Sequence, residues 1–235
     1  MTISILPEMP SALHISPEVY EKIPDLIIVS GSIKGLDPDL DGIQDYLQSS
    51  WQSLSSEVKI HGHNTHPIIA QWRQALQKAS ISVKKYPPSI QAIAKRTIHG
   101  EEPFSINPIV DTYNAICMEL VLPGGAYDTS QLEGGLQLRV SSGGEPFKPI
   151  GRTEEKPTTQ GEIVYSDNVD VITRQFLWQQ AEKGKITEST QELVFVFELL
   201  TGMGQEVLEN TVNTIEKKFP ALLNGKISNM TTHKL

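Results

Sequence analysis

The chain has 235 residues, of which 38% are hydrophobic and 20% charged, with a formal net charge of −8 and a single cysteine. A chain of this length can bury a sizeable core as one domain. The lone Cys117 excludes an intramolecular disulfide and fits a reducing compartment. The negative charge argues against an extended DNA or non-specific nucleic-acid binder, because such proteins neutralise phosphates with many Lys and Arg residues.

The N-terminal 21 residues have neither a basic start nor an unbroken apolar run, so the sequence predicts no signal peptide. The apolar stretches LIIV and LVFVFELL are far too short to span a bilayer. We therefore expect a cytoplasmic protein without a membrane partner.

Helical patterns dominate the first half of the chain. The segment PDLIIVSGSIKGLD predicts a strand over residues 26–30 and a glycine turn over 31–35, and a helix then starts near Pro38 with Asp37 as a possible N-cap. Three further helices are indicated by apolar residues at helical spacing in HPIIAQWRQALQKAS, PPSIQAIAKRTIHG and NPIVDTYNAICMELVL. Gly100 is the expected stop of the second of these, and the last ends before Pro123.

The second half changes to strand patterns. LQLRV, EPFKPIG, GEIVYSD, VDVITRQ and ELVFVFELL are rich in β-branched and aromatic residues and are separated by Gly, Pro and Asp turns. An amphipathic helix follows in GMGQEVLENTVNTIEKKFP, and the tail NGKISNMTTHKL is expected to fray. This segregation of helices from strands favours an α+β fold over a wound parallel sheet.

Two polar segments of the first half each allow a functional and a structural interpretation. VSGSIKG could cradle a phosphate at a helix N-terminus, but it lacks the spacing of the known phosphate-binding loops and also fits a plain strand-to-helix turn. His61, His63 and His66 could ligate zinc. No thiolate or acidic partner stands beside them, and His66 could instead cap or pack against the next helix.

A positive stretch and a cysteine also admit two interpretations. Cys117 lies on the apolar face of its helix, where a cysteine is normally an inert small hydrophobe rather than a reactive thiolate. Lys84, Lys85, Lys95 and Arg96 form the concentrated positive stretch of the chain. They could contact an RNA backbone or form an ordinary solvated face.

Polar residues recur where the predicted strands end. Side chains at strand ends often line a cleft, although they can also form surface ion pairs. This placement therefore allows two interpretations, a ligand pocket or surface ion pairs. The residues concerned are Glu145, Glu162, Asp167, Arg174, Gln180 and Thr190.

The stretch NAICMELVLPGGAYDTSQLEGGLQLRVSSGGEPF resembles the B3/B4 editing domain of the phenylalanyl-tRNA synthetase beta subunit. The resemblance rests on an ordered set of positions: Asn114, Glu119, Leu120, Pro123, Ala126, Tyr127, Asp128, Glu133, Gly134, Gly135, Arg139, Gly144 and Glu145. KKYPPSIQAIAKR and INPIVDTYNAI look closer still to stand-alone proteins of this family. The likeness covers roughly residues 65–200, and a chain of 235 residues has no room for the synthetase's catalytic core.

The resemblance implies a B3/B4-like fold: a β-sandwich-containing layered core with flanking helices. It divides the chain into an N-terminal α/β elaboration at 1–64, the B3/B4-like domain at 65–201, and a C-terminal helix and tail at 202–235, all in one compact unit. It also implies tRNA as the partner and hydrolysis of a wrong aminoacyl ester in trans, including one carrying the arginine analogue canavanine. Such chemistry needs no metal or other cofactor, because a positioned water and donors to the oxyanion can suffice.

The expected site residues follow from this implied function. We expect Asn114, Glu162, Asp167 and Gln180 to carry the hydrolysis and Lys84, Lys85, Lys95 and Arg96 to contact RNA. Substrate-binding positions are expected at Gly124, Gly125, Ala126, Tyr127, Glu145, Arg174, Trp178 and Thr190. An acid in the cleft, such as Glu145 or Asp167, could pair with a cationic substrate side chain.

Two departures from the synthetase pattern leave an alternative open. Gly125 stands where the family has a His, and Trp178, Gln179 and Gln180 stand where it has Gly-Gly-Glu. The two glycines at 124 and 125 would widen the cleft floor. The alternative function is a module that binds tRNA or an amino-acid-like ligand without hydrolysing it.

Overall fold

The computed structural model describes residues 13–99 and 101–235, which form two β-sheets and a set of helices. The helices are α1 (Pro17–Lys22), α2 (Leu40–His61), α3 (Pro67–Lys78), α4 (Ser89–Ile98), α5 (Pro108–Leu120) and α6 (Gln205–Leu223). The predicted helix stop at Gly100 and the first 12 residues lie outside the described part.

The first sheet has the order β1-β4-β5-β6-β7. Its strands are β1 (Leu13–Ile15), β4 (Leu136–Val140), β5 (Ile163–Ser166), β6 (Val171–Arg174) and β7 (Gln179–Gln180). The pairing is antiparallel except between β1 and β4, which run parallel.

The second sheet is fully antiparallel and has the order β3-β8-β2-β9. Its strands are β2 (Leu26–Lys34), β3 (Gly124–Asp128), β8 (Glu192–Leu200) and β9 (Lys226–His233). β2 and β8 pair along nine residues each, from Leu26 opposite Leu200 to Lys34 opposite Glu192.

Three layers result, because both faces of the second sheet are buried. Along β8, Leu193, Phe195, Phe197 and Leu199 point to the helices and share a core with α2, α5 and α6. The alternate residues pack against the first sheet, as the period of two in a strand requires. The α+β fold with a sandwich of two sheets and flanking helices is therefore confirmed.

The sequence and structure agree on where α5 begins and ends. Asn107 caps its start by accepting the backbone N–H of Val110 at 3.0 Å. Val121 ends it in the left-handed conformation, with φ 54°, and Pro123 follows. The segment after Pro123 is strand β3, which pairs with β8 from Gly124 opposite Phe197 to Asp128 opposite Leu193.

The glycine turn predicted at 31–35 is wrong over most of its length, because β2 continues to Lys34. Gly31 is a strand residue, and a Cβ there would lie 2.6 Å from the Phe195 ring. Glycine at this position serves close packing in the sheet, so the structure gives no phosphate-binding turn here. The N-cap of α2 is Asp39, which accepts the backbone N–H of Gly42, and not Asp37.

Two other predictions near strands are wrong. The segment 145–151 makes only an isolated bridge, between Pro149 and Ala181, because Pro146 and Pro149 have no N–H to donate to a ladder. The tail predicted to fray is strand β9, which covers the free side of β2. Its Ile227 and Met230 pack against the helical core.

The three predicted segments of the chain share one sheet. β2 comes from the segment 1–64 and lies between β8 of the middle segment and β9 of the last. Among the described residues no helix is both long enough and apolar enough to cross a bilayer.

Candidate functional site

A cavity of about 160 Å³ lies between the two sheets, where β3 and β8 face β5 and β6. Aromatic side chains form much of its wall: Tyr113, Tyr127, Tyr165, Phe176 and Trp178. The polar lining comes from Ser89, Asn114, Thr173, Gln179, Gln180 and Glu198. Wider surface grooves of about 640 and 800 Å³ occur elsewhere, but this cavity brings together the residues of the family pattern on α5 and β3.

Each wall of the cavity is held by a different element. α5 supplies Asn114, β3 supplies Gly124, Gly125 and Tyr127, and β8 supplies Glu198. The Tyr127 hydroxyl lies 2.9 Å from the Thr173 hydroxyl of β6, which ties the two sheets together beside the cavity.

The connection from β6 to β7 carries the outer wall and has an unusual backbone. Gln175 and Phe176 have φ angles of 52° and 62°, a left-handed conformation that non-glycine residues rarely adopt. Consecutive residues of this kind persist only where the surroundings hold them. The turn directs Phe176, Leu177 and Trp178 to the cavity.

A buried ion pair holds this turn. The Arg174 guanidinium donates to both carboxylate oxygens of Glu162, at 2.7 and 2.8 Å, and the Gln175 backbone N–H donates to Glu162 at 3.1 Å. Burial works to raise the pKa of Glu162, but the hydrogen bonds from Arg174 and Thr159 outweigh it and the net shift is downward. Glu162 and Arg174 do not line the cavity; they position the residues that do.

Glu198 is the acidic residue inside the cavity. Its side chain is buried, and the Tyr165 hydroxyl donates to Oε1 at 2.7 Å. Its other oxygen, Oε2, has no hydrogen-bond partner among the described residues. Burial raises the pKa of Glu198 to about 7, although the hydrogen bond from Tyr165 works in the opposite direction.

The two glycines of β3 differ in what they do. A Cβ on Gly124 would lie 2.8 Å from the Phe197 ring and 3.0 Å from the Cys117 sulfur, so glycine is required for α5 to pack on the sheet. A Cβ on Gly125 would meet no atom within 4 Å. The position where the family pattern has His is therefore open space beside the cavity.

Other predicted site residues lie outside the cavity wall. Glu145 receives hydrogen bonds from Arg139 and Ser141, which lower its pKa. Asp128 accepts from Thr190 at 2.7 Å, and Ala126 is buried in the helical core. These residues brace the framework around the site.

Asp167 also serves the framework. It accepts backbone N–H groups of Glu133, Val169 and Asp170 at 2.7 to 2.9 Å and pairs with Lys183 at 2.8 Å. Burial works to raise the pKa of Asp167, but these contacts outweigh it and the net shift is downward. The structure does not bring Asp167 together with Asn114 and Gln180.

The predicted RNA-contact residues divide into two groups. Lys84 and Lys85 are exposed next to Tyr86, whose ring packs at 4.7 Å against the cavity residue Trp178. Lys95 and Arg96 occupy the last turn of α4, at the end away from the cavity residue Ser89. Arg96 is engaged locally, with Glu101 at 2.7 Å and the Phe104 ring at 4.0 Å.

The histidine segment at 61–66 and Cys117 are the remaining candidates from the sequence. Within residues 13–99 and 101–235, no three His, Cys, Asp or Glu side chains are grouped as metal ligands. Cys117 is buried, and burial raises the pKa of its thiol, as expected for a structural cysteine.

The sequence did not single out Glu198 or Tyr165. A signal was present for Glu198: it is the only charged residue within LVFVFELL, a run whose other members are all apolar. An acid inside a buried strand needs a reason.

Comparison with known proteins now identifies the family. The family model of the B3/4 domain matches residues 71–208, which is more than half of the chain. The chain belongs to the B3/4 domain family. The resemblance noted in the sequence is thereby confirmed.

The chain also has a likeness to a solved structure. The chain is similar to the N-terminal fragment of the phenylalanyl-tRNA synthetase beta subunit from Pyrococcus horikoshii, with 12% sequence identity and a TM-score of 0.46. The match covers 92% of this chain and 49% of that one, so the chain spans about half of the matched fragment. No curated protein matches the sequence significantly.

Proposed function

We propose that this B3/4 protein is a trans-acting aminoacyl-tRNA deacylase, which hydrolyses the ester of a mischarged tRNA. The observation that carries the proposal is the cavity between the sheets. Its volume is roughly five times the 30 Å³ that one water molecule occupies in the liquid, which suits a single amino-acid side chain. It is lined by the amides of Asn114 and Gln180 and adjoins an exposed basic segment.

The two amides have complementary roles in this proposal. Gln180 donates its Nε2 to the Gly184 carbonyl at 3.3 Å, which leaves its Oε1 to accept a hydrogen bond from the attacking water. Asn114 donates to the oxygen that becomes negative when water adds to the ester carbon. The intermediate then breaks its bond to the ribose oxygen, which takes up the proton that the attacking water gives up, and the free amino acid and the tRNA are released.

The rim next to Trp178 suits the acceptor end of the tRNA. Trp178 and Tyr86 offer aromatic faces for an unpaired base, and such stacking tolerates any sequence. Lys84 and Lys85 are exposed beside them and can contact phosphates. Glu162, Arg174 and Asp167 hold turns in this proposal and contact no substrate. Since the substrate occurs where translation takes place, the proposal also places the protein in the cytoplasm.

The test is incubation with a panel of mischarged tRNAs, including one that carries canavanine, while loss of the ester is followed. We expect at least one ester to be hydrolysed, and we expect Asn114→Ala and Gln180→Ala to slow that reaction by about a hundredfold, as for loss of an oxyanion donor. Gln52→Ala, on the exposed face of α2, is the matched control. Full activity in both cavity variants would remove these amides from the mechanism.

The contact with RNA is tested separately by the double variant Lys84→Gln/Lys85→Gln. We expect weaker tRNA binding and a slope of log K against log salt that is smaller by about 1 to 2. Lys34→Gln/Lys226→Gln removes two exposed lysines on neighbouring strands of the second sheet and is the control. Equal salt slopes for the two double variants would place the RNA elsewhere.

A binding module without hydrolysis is the second candidate. Gly125 in place of the family's His favours it, since the structure has open space there instead of a side chain. Measurable tRNA binding with no loss of any ester in the panel would select this function over the deacylase.

A further inference from the structure

A group of basic side chains gathers beside α3 and α4, and we call it the α3–α4 basic face: His63, Arg73, Lys95 and His99. Arg73 belongs to α3, Lys95 to the last turn of α4, and His99 is the C-cap of α4. His63 lies in the turn before α3. Burial lowers the pKa of His63, and the charges of Lys95, Arg73 and His99 lower it further, so the four groups are neighbours in space.

Two amides hold the Arg73 guanidinium in place. Its Nη1 donates to Oε1 of Gln91 at 3.1 Å and to Oδ1 of Asn64 at 3.4 Å. Gln91 is buried, and its Nε2 donates in turn to Asn64 at 3.0 Å. The Nε and Nη2 donors of Arg73 have no partner among the described residues. A guanidinium that is fixed at one nitrogen and open at the others is preorganised to bind an anion.

The face has no acid that neutralises it. Within the described part of the chain, no carboxylate forms an ion pair with Arg73 or Lys95, and Glu101, which follows α4, pairs with Arg96 instead, at 2.7 Å. The whole chain carries a formal net charge of −8. Unpaired cations in one place on such an acidic protein favour a negatively charged partner.

Stabilisation of helix ends accounts for only half of the group. Cations at the C-terminal end of a helix interact favourably with its dipole, which explains Lys95 and His99. Arg73 is in the middle of α3, and His63 precedes the start of that helix, where the dipole disfavours a cation. These two positions therefore need another reason.

The position of the face relative to the cavity suits a long polyanion. Ser89 at the start of α4 lines the cavity. Lys95 and His99 are exposed and lie six and ten positions later, which is about 9 and 15 Å along the helix axis. A nucleic-acid backbone can span such a distance and present successive phosphates, one of them to the open fork of Arg73.

We propose that the α3–α4 basic face binds backbone phosphates of an RNA, as a second contact that is separate from Lys84 and Lys85. This inference rests on the proposed function for the identity of the RNA as tRNA. An RNA whose acylated end enters the cavity meets the face with phosphates farther along its backbone. The contact carries no sequence information and fixes the position of the RNA on the protein.

The experiment measures binding of uncharged tRNA, which needs neither an ester nor hydrolysis. Arg73→Gln/Lys95→Gln should weaken binding about tenfold and make the slope of log K against log salt smaller by about 2. Lys34→Gln/Lys226→Gln removes the same charge from the second sheet and should change neither quantity. Competition by inorganic phosphate forms a second arm, in which we expect no displacement of tRNA beyond that caused by chloride at equal ionic strength.

Single variants separate charge from geometry. Arg73→Lys keeps the charge but loses the fork, so it should weaken binding while the salt slope stays near that of the wild type. Thermal unfolding of each variant checks that the fold is intact. If the double variant does not fold, Lys95→Gln alone changes an exposed side chain without hydrogen bonds to the described residues, and should make the slope smaller by about 1.

His63 gives the contact a dependence on pH. Burial and the charges of Lys95, Arg73 and His99 lower its pKa in the free protein. A bound phosphate favours the protonated imidazole, so affinity for tRNA should rise as the pH falls from 8 to 5.5. His63→Gln should reduce this rise, whereas His14→Gln, an exposed histidine of β1, should keep it.

The result that overturns the inference is wild-type affinity and salt slope in Arg73→Gln/Lys95→Gln, binding of no tRNA by the wild type, or displacement of tRNA by inorganic phosphate alone, which would make the face a site for a free anion. Weaker tRNA binding in this variant, together with no hydrolysis of any mischarged tRNA by the wild type, would support the inference and reject the deacylase. Hydrolysis by the wild type with unchanged tRNA binding in the variant would do the reverse.

Discussion

Glu162 and Glu198 are both buried glutamates, yet their surroundings treat the negative charge in opposite ways. Glu162 receives two bonds from Arg174 and further bonds from Thr159 and Gln175. Glu198 receives one bond from Tyr165, and its second oxygen faces no donor of the described residues. The difference teaches that a paired acid builds the site, whereas an unpaired acid is available to a ligand.

The largest effect is expected from breaking the paired acid. Glu162→Gln leaves Arg174 as an uncompensated buried charge and should lower the free energy of unfolding at pH 7 by about 3 to 5 kcal/mol. The pKa of Glu162 is lowered in the folded protein, so its contribution is present above its ordinary value of 4.5 and is lost as the pH falls through the folded pKa.

Urea unfolding of wild type and variant between pH 3 and pH 8 measures this contribution. The difference between the two should shrink towards acidic pH, and Glu192→Gln should change stability by less than about 0.5 kcal/mol. A Glu162→Gln protein as stable as the control would mean that the ion pair does not hold the 175–176 turn.

The unpaired acid should show the opposite dependence on pH. The pKa of Glu198 is raised from 4.5 to about 7, so the folded state holds a proton that the unfolded state has released. Stability from this group is present below pH 4.5 and is lost as the pH rises to about 7, by about 3 kcal/mol in total. Glu198→Gln removes this loss and should be the more stable protein at pH 8.

Urea midpoints of the wild type and Glu198→Gln at pH 5 and pH 8 measure the effect. The gap between the two proteins should widen in favour of the variant at the higher pH. Parallel pH dependences would show that Glu198 is compensated in solution, and the contrast with Glu162 would then fail.

The smallest effect is expected at the single bond that Glu198 does receive. In the wild type the hydrogen bond from the Tyr165 hydroxyl works to lower the pKa of Glu198. Tyr165→Phe removes this donor and should cost about 1 kcal/mol of stability at neutral pH. The pH at which stability declines should move upward relative to the wild type. A double-mutant cycle with Glu198→Gln should give a coupling energy above about 0.5 kcal/mol if the two side chains interact.

Sequence patterns predicted most of the helices and strands because these depend on nearby residues. The apolar spacing in α3 and α5 and the β-branched runs of β5 and β8 are local signals, and the structure has those elements. The tail was mistaken for a frayed end because β9 is stabilised by pairing with β2, nearly 200 positions earlier, which leaves little local trace. The two prolines of 145–151 argued locally against a strand. The apolar and aromatic residues of the segment were given more weight.

The candidate site was predictable only in part, for a similar reason. Asn114, Gly124, Gly125, Tyr127, Trp178 and Gln180 were predicted from the family pattern, and the structure brings them to one cavity. Glu162 and Asp167 were expected to be catalytic from the function that the family resemblance implies. Whether such an acid is engaged depends on partners such as Arg174 and Lys183, and only side-chain geometry gives these.

The sequence by itself determined the family, the α+β class and the positions of the principal helices and strands, since these follow from ordered motifs and short-range periodicity. The tertiary structure decided which acids are paired and which one faces an open cavity. That outcome depends on how two sheets pack: Glu198 and Tyr165 are 33 positions apart on different sheets, and they meet only when those sheets close on each other. The charge of a buried acid is set by that encounter and not by its neighbours along the chain.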